Sequence, residues 1–274
     1  MNFVIFIFVF LLGTIIGSFL NVVIYRFNTG KTIVKGRSFC MTCNKELRWY
    51  ELIPLFSFLW QKGKCRRCAM KISHQYPLVE FLTGLVFVLI AYRFLPILEI
   101  SFGLYLLFFI FFVFIFSLLI VISFYDLRHK IIPDKLVYLF ILFSFLSIFI
   151  NSSVATSGSI FVIPTLAGLL AGPALAIPFA ALWYFSGGRL MGLGDGKLIL
   201  GLGWLLGLSA GLFSLVISFW LGTIIGLSLI FLSKKKMNMK TEIPFAPFLI
   251  ISAFITFLFS LNFYSLINFF SLNL

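Results

Sequence analysis

The amino-acid sequence predicts an all-α polytopic membrane protein with about eight transmembrane helices and one small polar domain between the first and second helices. Of its 274 residues, 62% are hydrophobic and only 11% are charged, whereas a soluble domain carries roughly 25% charged residues. Apolar runs close to the roughly 20 residues that a membrane-spanning helix needs recur along most of the chain. These observations exclude a soluble enzyme and a disordered chain.

The first predicted span covers about Asn2–Ile24, and no Lys or Arg precedes it. A cleavable signal peptide begins with a positively charged region. We therefore expect this helix to be retained, with its N-terminus outside the cytoplasm. Gly13 and Gly17 form a GxxxG pair, which permits close packing against another helix in lipid.

Seven further predicted spans follow a polar stretch that is long enough to form a small domain. The chain then divides into a first transmembrane helix (1–24), a polar domain (25–76) and a membrane-embedded core (77–274). The Leu198–Gly207 span is short and rich in glycine, so it could be a partial helix that stops inside the bundle. The seven spans are about Pro77–Leu98, Gly103–Tyr125, Leu136–Ile150, Ser159–Phe185, Leu198–Gly207, Leu212–Leu232 and Pro244–Leu272.

The basic residues indicate how the chain is oriented. The formal net charge is +13, and 20 of the 21 Lys and Arg residues lie between Arg26 and Lys71 or in three later loops (128–135, 189–197 and 234–240). Eight spans put these segments on one side, which the positive-inside rule assigns to the cytoplasm. We therefore expect a lipid-bilayer partner, no nucleic-acid partner, and both termini outside.

All four cysteines lie in the polar domain as two C-x₂-C pairs, Cys40 with Cys43 and Cys65 with Cys68, separated by 21 residues. Two such pairs can give zinc four thiolates in a tetrahedron. Disulfides are disfavoured in the cytoplasm, and four Cys ligands leave no open position for catalysis. The pattern therefore predicts a structural zinc site. The alternative is four reduced thiols in a small core.

Asp126 is one of two acidic residues at predicted membrane boundaries that we consider candidate catalytic residues. It follows an apolar run at the cytoplasmic end of a helix, where the helix dipole disfavours an acid. Placing a carboxylate in the bilayer costs free energy, so a carboxylate found there is a candidate functional residue. The alternative is that one of the three basic residues at 128–130 simply pairs with it.

Asp195 is the other candidate, and it lies among three glycines in the segment Gly192–Gly196. Glycine allows a neighbouring helix or an extended peptide to approach the backbone closely. The alternative is that Asp195 caps the following helix. Other acids have simpler interpretations: Asp134 resembles the N-cap of the next span, while Glu80 and Glu242 could pair with nearby Lys or Arg.

Asp126 and Asp195 both fall on the cytoplasmic side, on helices that a bundle could bring together. Two interacting carboxyl groups cannot both ionise easily, so one retains a proton. The ionised group can then activate water while the protonated group polarises a carbonyl, as in aspartic proteases. The sequence contains no H-E-x-x-H motif and no other credible catalytic set.

Several segments, in this order, resemble the prepilin peptidases, also called type IV leader peptidases. The polar domain is similar to the family's cysteine domain, and Asp126–Asp134 and Gly192–Asp195 are similar to its two aspartate blocks, the second being its GxGD motif. One difference is Ala246, where glycine is often found. The other similar segments are Gly17–Arg26, Ser38–Cys40, Tyr50–Pro54, Gly63–Cys65, Tyr76–Glu80 and Ile243–Phe248.

This resemblance implies a GxGD-type membrane aspartyl protease with Asp126 and Asp195 as its catalytic acids. It implies cleavage of the short basic leader of a type IV prepilin or pseudopilin helix, at the cytoplasmic face of the bacterial inner membrane. It also implies N-methylation of the new N-terminal residue with S-adenosylmethionine. The residues themselves show no cofactor-binding pattern, so the methyltransferase rests on the resemblance alone.

Two other classes of function are compatible with parts of the sequence. One is a zinc-ribbon membrane transporter or assembly factor whose carboxylates carry ions or protons, in which case loss of either aspartate would leave peptide processing untouched. The other is an intramembrane GxGD protease with unrelated substrates. The cysteine domain and the leader-peptidase segments argue against the latter.

Overall fold

The computed structural model describes residues 3–30, 32–34, 36–150, 161–189, 191–232 and 244–263. Within these ranges the regular structure is helical, with three isolated antiparallel bridges and no strand. This confirms the all-α class. A 3-10 helix covers Trp49–Glu51, and the α-helices are α1 (Phe3–Arg26), α2 (Phe56–Trp60), α3 (Gln75–Arg93), α4 (Leu95–Leu98), α5 (Phe102–His129), α6 (Asp134–Ser147), α7 (Leu166–Ser186), α8 (Leu193–Leu206), α9 (Leu208–Leu232) and α10 (Ala246–Phe259).

Eight of these helices lie at the eight predicted spans. Five of them, α1, α3, α5, α7 and α9, are long and apolar enough to cross a membrane. The described parts of α6, α8 and α10 have 14 residues each. At 1.5 Å per residue such a helix is about 21 Å long, which is shorter than the roughly 30 Å hydrocarbon core of a bilayer.

The first compact unit comprises Met1–Val121. In it α1 packs closely on α3 because glycines face the contact. A Cβ atom on Gly13 would lie 2.7 Å from the Cα of Gly84, and one on Gly17 would lie 2.8 Å from the Cα of Glu80. Any larger residue would therefore separate the two helices. The GxxxG pair thus acts in helix packing.

The second compact unit comprises Ile122–Leu274. Helix α8 contacts both α6 and α7 in it. A Cβ atom on Gly203 of α8 would lie 2.7 Å from the Cα of Gly172 in α7. The indole Nε1 of Trp204 donates a hydrogen bond of 2.9 Å to the Leu169 carbonyl, and Ser214 in α9 pairs with Ser252 in α10 at 3.1 Å. Small residues and buried hydroxyl groups thus join the helices of this unit.

The structure corrects the cap interpretation of Asp134 and excludes the cap alternative for Asp195. Asp134 is not the N-cap of α6, because the helix begins at Asp134 itself and Pro133 occupies the cap position. Asp195 does not cap the helix at Leu198, because α8 begins at Leu193, after Gly192. Both acids are therefore in the first turn of a helix, and their side chains are available for other partners.

Several predicted features lie outside the described residues. They are residues 151–160 between two predicted spans, the basic loop 234–240, Glu242 and the last eleven residues of the chain, 264–274.

Candidate functional site

The two C-x₂-C pairs form two turns of the same design. In the first, the Cys40 N–H donates to the Lys45 carbonyl at 3.0 Å and the Asn44 N–H donates to the Cys40 carbonyl at 2.9 Å. The second turn repeats this around Cys65, with 2.9 Å for each of the equivalent bonds. The residue after each second cysteine, Asn44 or Ala69, has a φ of 53° or 54°. Each pair thus turns both of its thiols to the same side.

The four thiols form one cluster. Their Sγ atoms all lie within 4.8 Å of one another, and those of Cys40 and Cys68 are 3.8 Å apart. A tetrahedron with Zn–S bonds of about 2.3 Å has S–S edges of about 3.8 Å. The Cys43 backbone N–H donates to the Cys40 thiol and lowers its pKa to about 6. The cluster therefore has the donor atoms and the spacing that zinc requires.

Asp126 occupies the last turn of α5, and its side chain is buried, with 5% exposure. Its carboxylate accepts a hydrogen bond from the backbone N–H of Ala246, the first residue of α10. The N–H groups of a first helical turn have no partner inside their own helix. Asp126 therefore joins the end of α5 to the start of α10, and this fixes the position of its carboxyl group.

Asp195 lies in the first turn of α8, where it is half-buried. A Cβ atom on Gly194 would lie 2.9 Å from the Cβ of Ile132, so the chain before α6 packs directly on this turn. Two residues further on, Lys197 Nζ lies 2.7 Å from Asp134 Oδ1 and 5.0 Å from the Tyr138 ring centroid. These contacts hold the Asp195 turn against α6.

The carboxyl groups of Asp126 and Asp195 interact electrostatically within the second unit. Asp126 is at the C-terminal end of its helix and Asp195 at the N-terminal end of its own, so the two helix dipoles act on them in opposite directions. Two interacting carboxyl groups in a water-poor environment share protons unequally. This arrangement can supply a base and an acid to one reaction.

Sequence analysis did not identify two contributors to this site. One is the Ala246 N–H that binds Asp126. The Ile243–Phe248 segment was noted for its similarity to the family, but a backbone N–H leaves no trace in the composition of a segment. The other is the ion pair between Lys197 and Asp134, because Asp134 was interpreted as a cap. The six predicted site residues otherwise fall into two groups, the four cysteines and the two aspartates.

These features define a polytopic helical membrane protein with a four-cysteine cluster and an interacting aspartate pair. Residues 11–94 match the family model described as the Bacterial Peptidase A24 N-terminal domain, and residues 113–227 match the model of the type IV leader peptidase family. The chain belongs to the type IV leader peptidase family, as the order of its motifs predicted, and it is therefore a membrane peptidase.

Similar proteins from other bacteria support the same assignment. A prepilin leader peptidase/N-methyltransferase of Aeromonas hydrophila is 33% identical over 91% of this chain and 89% of its own length. One of Bacillus subtilis is 30% identical over 91% of this chain and 92% of its own length. A third, of Myxococcus xanthus, is 45% identical over 46% of this chain, which spans 35% of that relative. No solved structure matches this chain.

Proposed function

We propose that this protein removes the N-terminal leader of a type IV prepilin or pseudopilin, with Asp126 and Asp195 as its catalytic residues. The observation that carries the proposal is the electrostatic interaction of these two carboxyl groups within one compact unit. The substrate class is taken from the relatives, which are named for prepilin leader cleavage and methylation.

The reaction begins with one carboxyl group ionised and the other protonated. The carboxylate takes a proton from water as the water oxygen attacks the scissile carbonyl carbon, and the protonated group gives its proton to the carbonyl oxygen. The tetrahedral diol then collapses. The C–N bond breaks, the first carboxyl group protonates the leaving nitrogen, and the second recovers a proton from a diol hydroxyl. Both groups end in their starting states.

The same chain methylates the new N-terminal residue, as the names of its relatives indicate. S-adenosylmethionine supplies an activated methyl group on a positively charged sulfur. When bound, it would donate this methyl group to the nitrogen of the new N-terminus, which would release one proton to solvent.

Cys40, Cys43, Cys65 and Cys68 would hold a structural zinc ion. The spacing of their sulfur atoms fits tetrahedral coordination. A domain of this size buries too little apolar surface to be stable without additional support. The metal would therefore hold the polar domain together, and because all four of its positions are filled by the protein it takes no part in either reaction.

The polar domain and the two aspartates face the cytoplasm of the bacterial inner membrane, because the basic segments flank them. The bilayer and the substrate helix are the partners that this arrangement requires. The division into a first helix (1–24), a polar domain (25–76) and a peptidase core (77–274) follows the same topology.

The test uses the full-length protein in detergent with a prepilin substrate, with and without S-adenosylmethionine, and mass spectrometry of the products. We expect loss of the leader in both samples and a further gain of one methyl group only with the cofactor. If the substrate stays intact with every prepilin supplied, while the protein moves ions or protons across vesicles, the transporter class would replace this proposal.

A further inference from the structure

The polar domain carries an exposed apolar surface that the peptidase mechanism does not use. This surface lies on the segment Trp49–Trp60, in which the 3-10 helix contacts α2, and we call it the apolar segment. The tryptophans at its two ends are 77% and 81% exposed. Its other exposed apolar side chains are those of Leu52, Ile53, Phe56 and Leu59. Large apolar side chains clustered on a surface mark an interaction site.

The apolar segment is ordered, because one of its residues packs inward. The Phe58 ring makes an edge contact with the His74 ring, and the two centroids are 5.6 Å apart. A Cβ atom on Gly63 would lie 3.1 Å from the Phe58 ring. Phe58 thus holds α2 to the rest of the domain, while Phe56 and Leu59 of the same short helix are exposed. The fold therefore displays these apolar side chains on a fixed support.

A hydrogen bond places the apolar segment beside the start of a membrane span. The Leu55 N–H donates to the Glu80 carboxylate at 2.8 Å. Glu80 is buried in α3, five residues after this helix begins at Gln75, which is about 8 Å along the helix axis. Next to it in α3 the apolar side chains of Leu78 and Phe81 are exposed, as expected of a span that faces lipid. Leu55 therefore lies at a level where α3 already faces lipid.

The same carboxylate joins the apolar segment to α1. The Ser18 side chain donates a second hydrogen bond to Glu80, and Ser18 lies eight residues before the end of α1 at Arg26, about 12 Å along that helix. Among the described residues no Lys, Arg or His forms an ion pair with Glu80, contrary to the simpler interpretation made from sequence. Glu80 therefore fixes the apolar segment to both spans at points inside their ends.

The charge around the apolar segment complements an anionic surface. Between residues 48 and 67 there are five Lys and Arg residues and one acid, Glu51, whose carboxylate accepts the Arg48 N–H at 2.8 Å. The exposed Arg48 and Arg66 guanidinium groups lie 6.0 and 5.2 Å from the centroid of the Tyr50 ring, next to Trp49. Tryptophan and basic residues together are typical of segments that lie in a membrane interface.

We infer that the apolar segment inserts into the lipid leaflet next to the polar domain without crossing the bilayer. Its exposed apolar side chains enter the boundary between headgroups and acyl chains, and the basic residues around it bind anionic headgroups. The segment is shorter than the roughly 20 residues that a spanning helix needs. The polar domain is thus held to the bilayer by this segment as well as by α1 and α3. The inference is independent of the proposed peptidase and methyltransferase activities.

Fluorine NMR of the full-length, zinc-loaded protein tests this inference in bilayer nanodiscs of phosphatidylcholine and phosphatidylglycerol. The protein would be labelled with 5-fluorotryptophan, and Trp49→Phe and Trp60→Phe would each remove one signal and so assign it. Glu46→Trp is the matched control, because it adds a tryptophan to the same domain at an exposed position that pairs with Arg37 and lies outside the apolar segment. Two paramagnetic probes are compared, a lipid spin-labelled near the top of its acyl chain and a water-soluble gadolinium chelate.

We expect the Trp49 and Trp60 signals to lose most of their intensity with the spin-labelled lipid and to keep most of it with the chelate, because an interfacial segment lies about 5–10 Å deep. The tryptophan at position 46 should show the reverse. If the chelate broadens the Trp49 and Trp60 signals as strongly as that of the control, the segment faces water and the inference is overturned.

A change of lipid tests the role of the basic residues. In nanodiscs of phosphatidylcholine alone, the spin-labelled lipid should broaden the Trp49 signal less, because each Lys or Arg near an anionic surface contributes about 1 kcal/mol of attraction. Equal broadening in the two lipid mixtures would overturn the assignment of these residues to anionic headgroups.

Cross-linking of the unmodified protein gives an answer that does not depend on any variant. A lipid with a photoreactive group in its acyl chain is activated in the same nanodiscs, and the labelled peptides are identified by mass spectrometry. Label on residues 49–60 supports the inference. Label confined to the membrane spans overturns it, as do cross-links that join residues 49–60 of two copies of the chain in place of lipid label, because the apolar surface would then be a dimer interface.

Discussion

The carboxylate of Asp126 accepts a hydrogen bond from the backbone N–H of Ala246, so an acid in the last turn of α5 binds the first residue of α10. This contact gives Asp126 a structural role beside the proposed catalytic one. The two roles can be separated, because an asparagine amide oxygen can accept the same bond but an amide cannot carry the proton that the reaction requires.

We expect Asp126→Asn and Asp195→Asn each to reduce leader cleavage by several orders of magnitude, because each leaves the reaction without either its base or its acid. The double variant should lose little more than either single variant, since residues that act as a unit fail together. Cleavage rates measured by mass spectrometry at equal protein levels check this. Near-parental cleavage by either single variant would contradict the two-aspartate mechanism.

Asp126→Ala should differ from Asp126→Asn in stability rather than in activity. Alanine removes the acceptor for the Ala246 N–H and leaves a buried donor unpaired, which costs about 1–3 kcal/mol. The thermal unfolding midpoint in detergent should therefore fall for Asp126→Ala and stay near the parental value for Asp126→Asn. Equal midpoints for the two variants would mean that the Ala246 contact contributes nothing to stability.

Zinc should be bound at about one ion per chain. Cys40→Ser replaces a thiolate with a hydroxyl group, which is a poor zinc ligand, so metal content should fall and the polar domain should become more sensitive to proteolysis. Metal analysis of freshly purified protein, with Ser38→Ala as a control next to the site, measures this. Absence of zinc from the unmodified protein would refute the metal site.

The sequence predicted the cysteine cluster because its geometry is local. The two cysteines of each C-x₂-C pair lie in a single hydrogen-bonded turn. The cluster then requires only that the two turns lie next to each other. The aspartates were predicted from their chemical environment, since few acids occur at the ends of apolar runs. Their interaction, however, depends on how α5 and α8 pack in the second unit, which no local pattern specifies.

Neither aspartate is the N-cap that its residue type suggested. Propensity rules place Asp at an N-cap because its carboxylate can bind the free N–H groups there. At Asp134 the carboxylate pairs instead with Lys197, 63 residues away. At Asp195 the extended backbone of Gly192 starts the helix one turn earlier. In both cases the residue type alone did not specify where the helix begins.

The ion pair between Asp134 and Lys197 should contribute little to stability, because the Asp134 side chain is 60% exposed. Exposed pairs are typically worth up to about 1 kcal/mol. Asp134→Asn should therefore shift the unfolding midpoint slightly and leave most leader cleavage intact. A loss of cleavage as large as that of Asp195→Asn would show that Asp134 belongs to the catalytic set.

A reporter fused after Leu274 should be located outside the cytoplasm, because eight spans with the N-terminus outside return the chain to that side. Reporters fused within the polar domain should be cytoplasmic, in agreement with its basic residues. A cytoplasmic signal after Leu274 would require an odd number of spans, and the 14-residue helix α8 would be the first to remove from the count.

The contact between Gly203 and Gly172 allows a last prediction about packing in the second unit. A Cβ atom on Gly203 would lie 2.7 Å from the Cα of Gly172 and 2.8 Å from the Ala171 carbonyl oxygen, and both are backbone atoms that cannot rotate away. Gly203→Ala should therefore force α7 and α8 apart and lower stability by about 1–3 kcal/mol. The matched control is Gly103→Ala, whose Cβ would meet nothing closer than 3.7 Å and which should be neutral or slightly stabilising because alanine favours helix. Thermal unfolding of both variants in the same detergent measures the difference, and equal midpoints would mean that the two helices are not held at this distance.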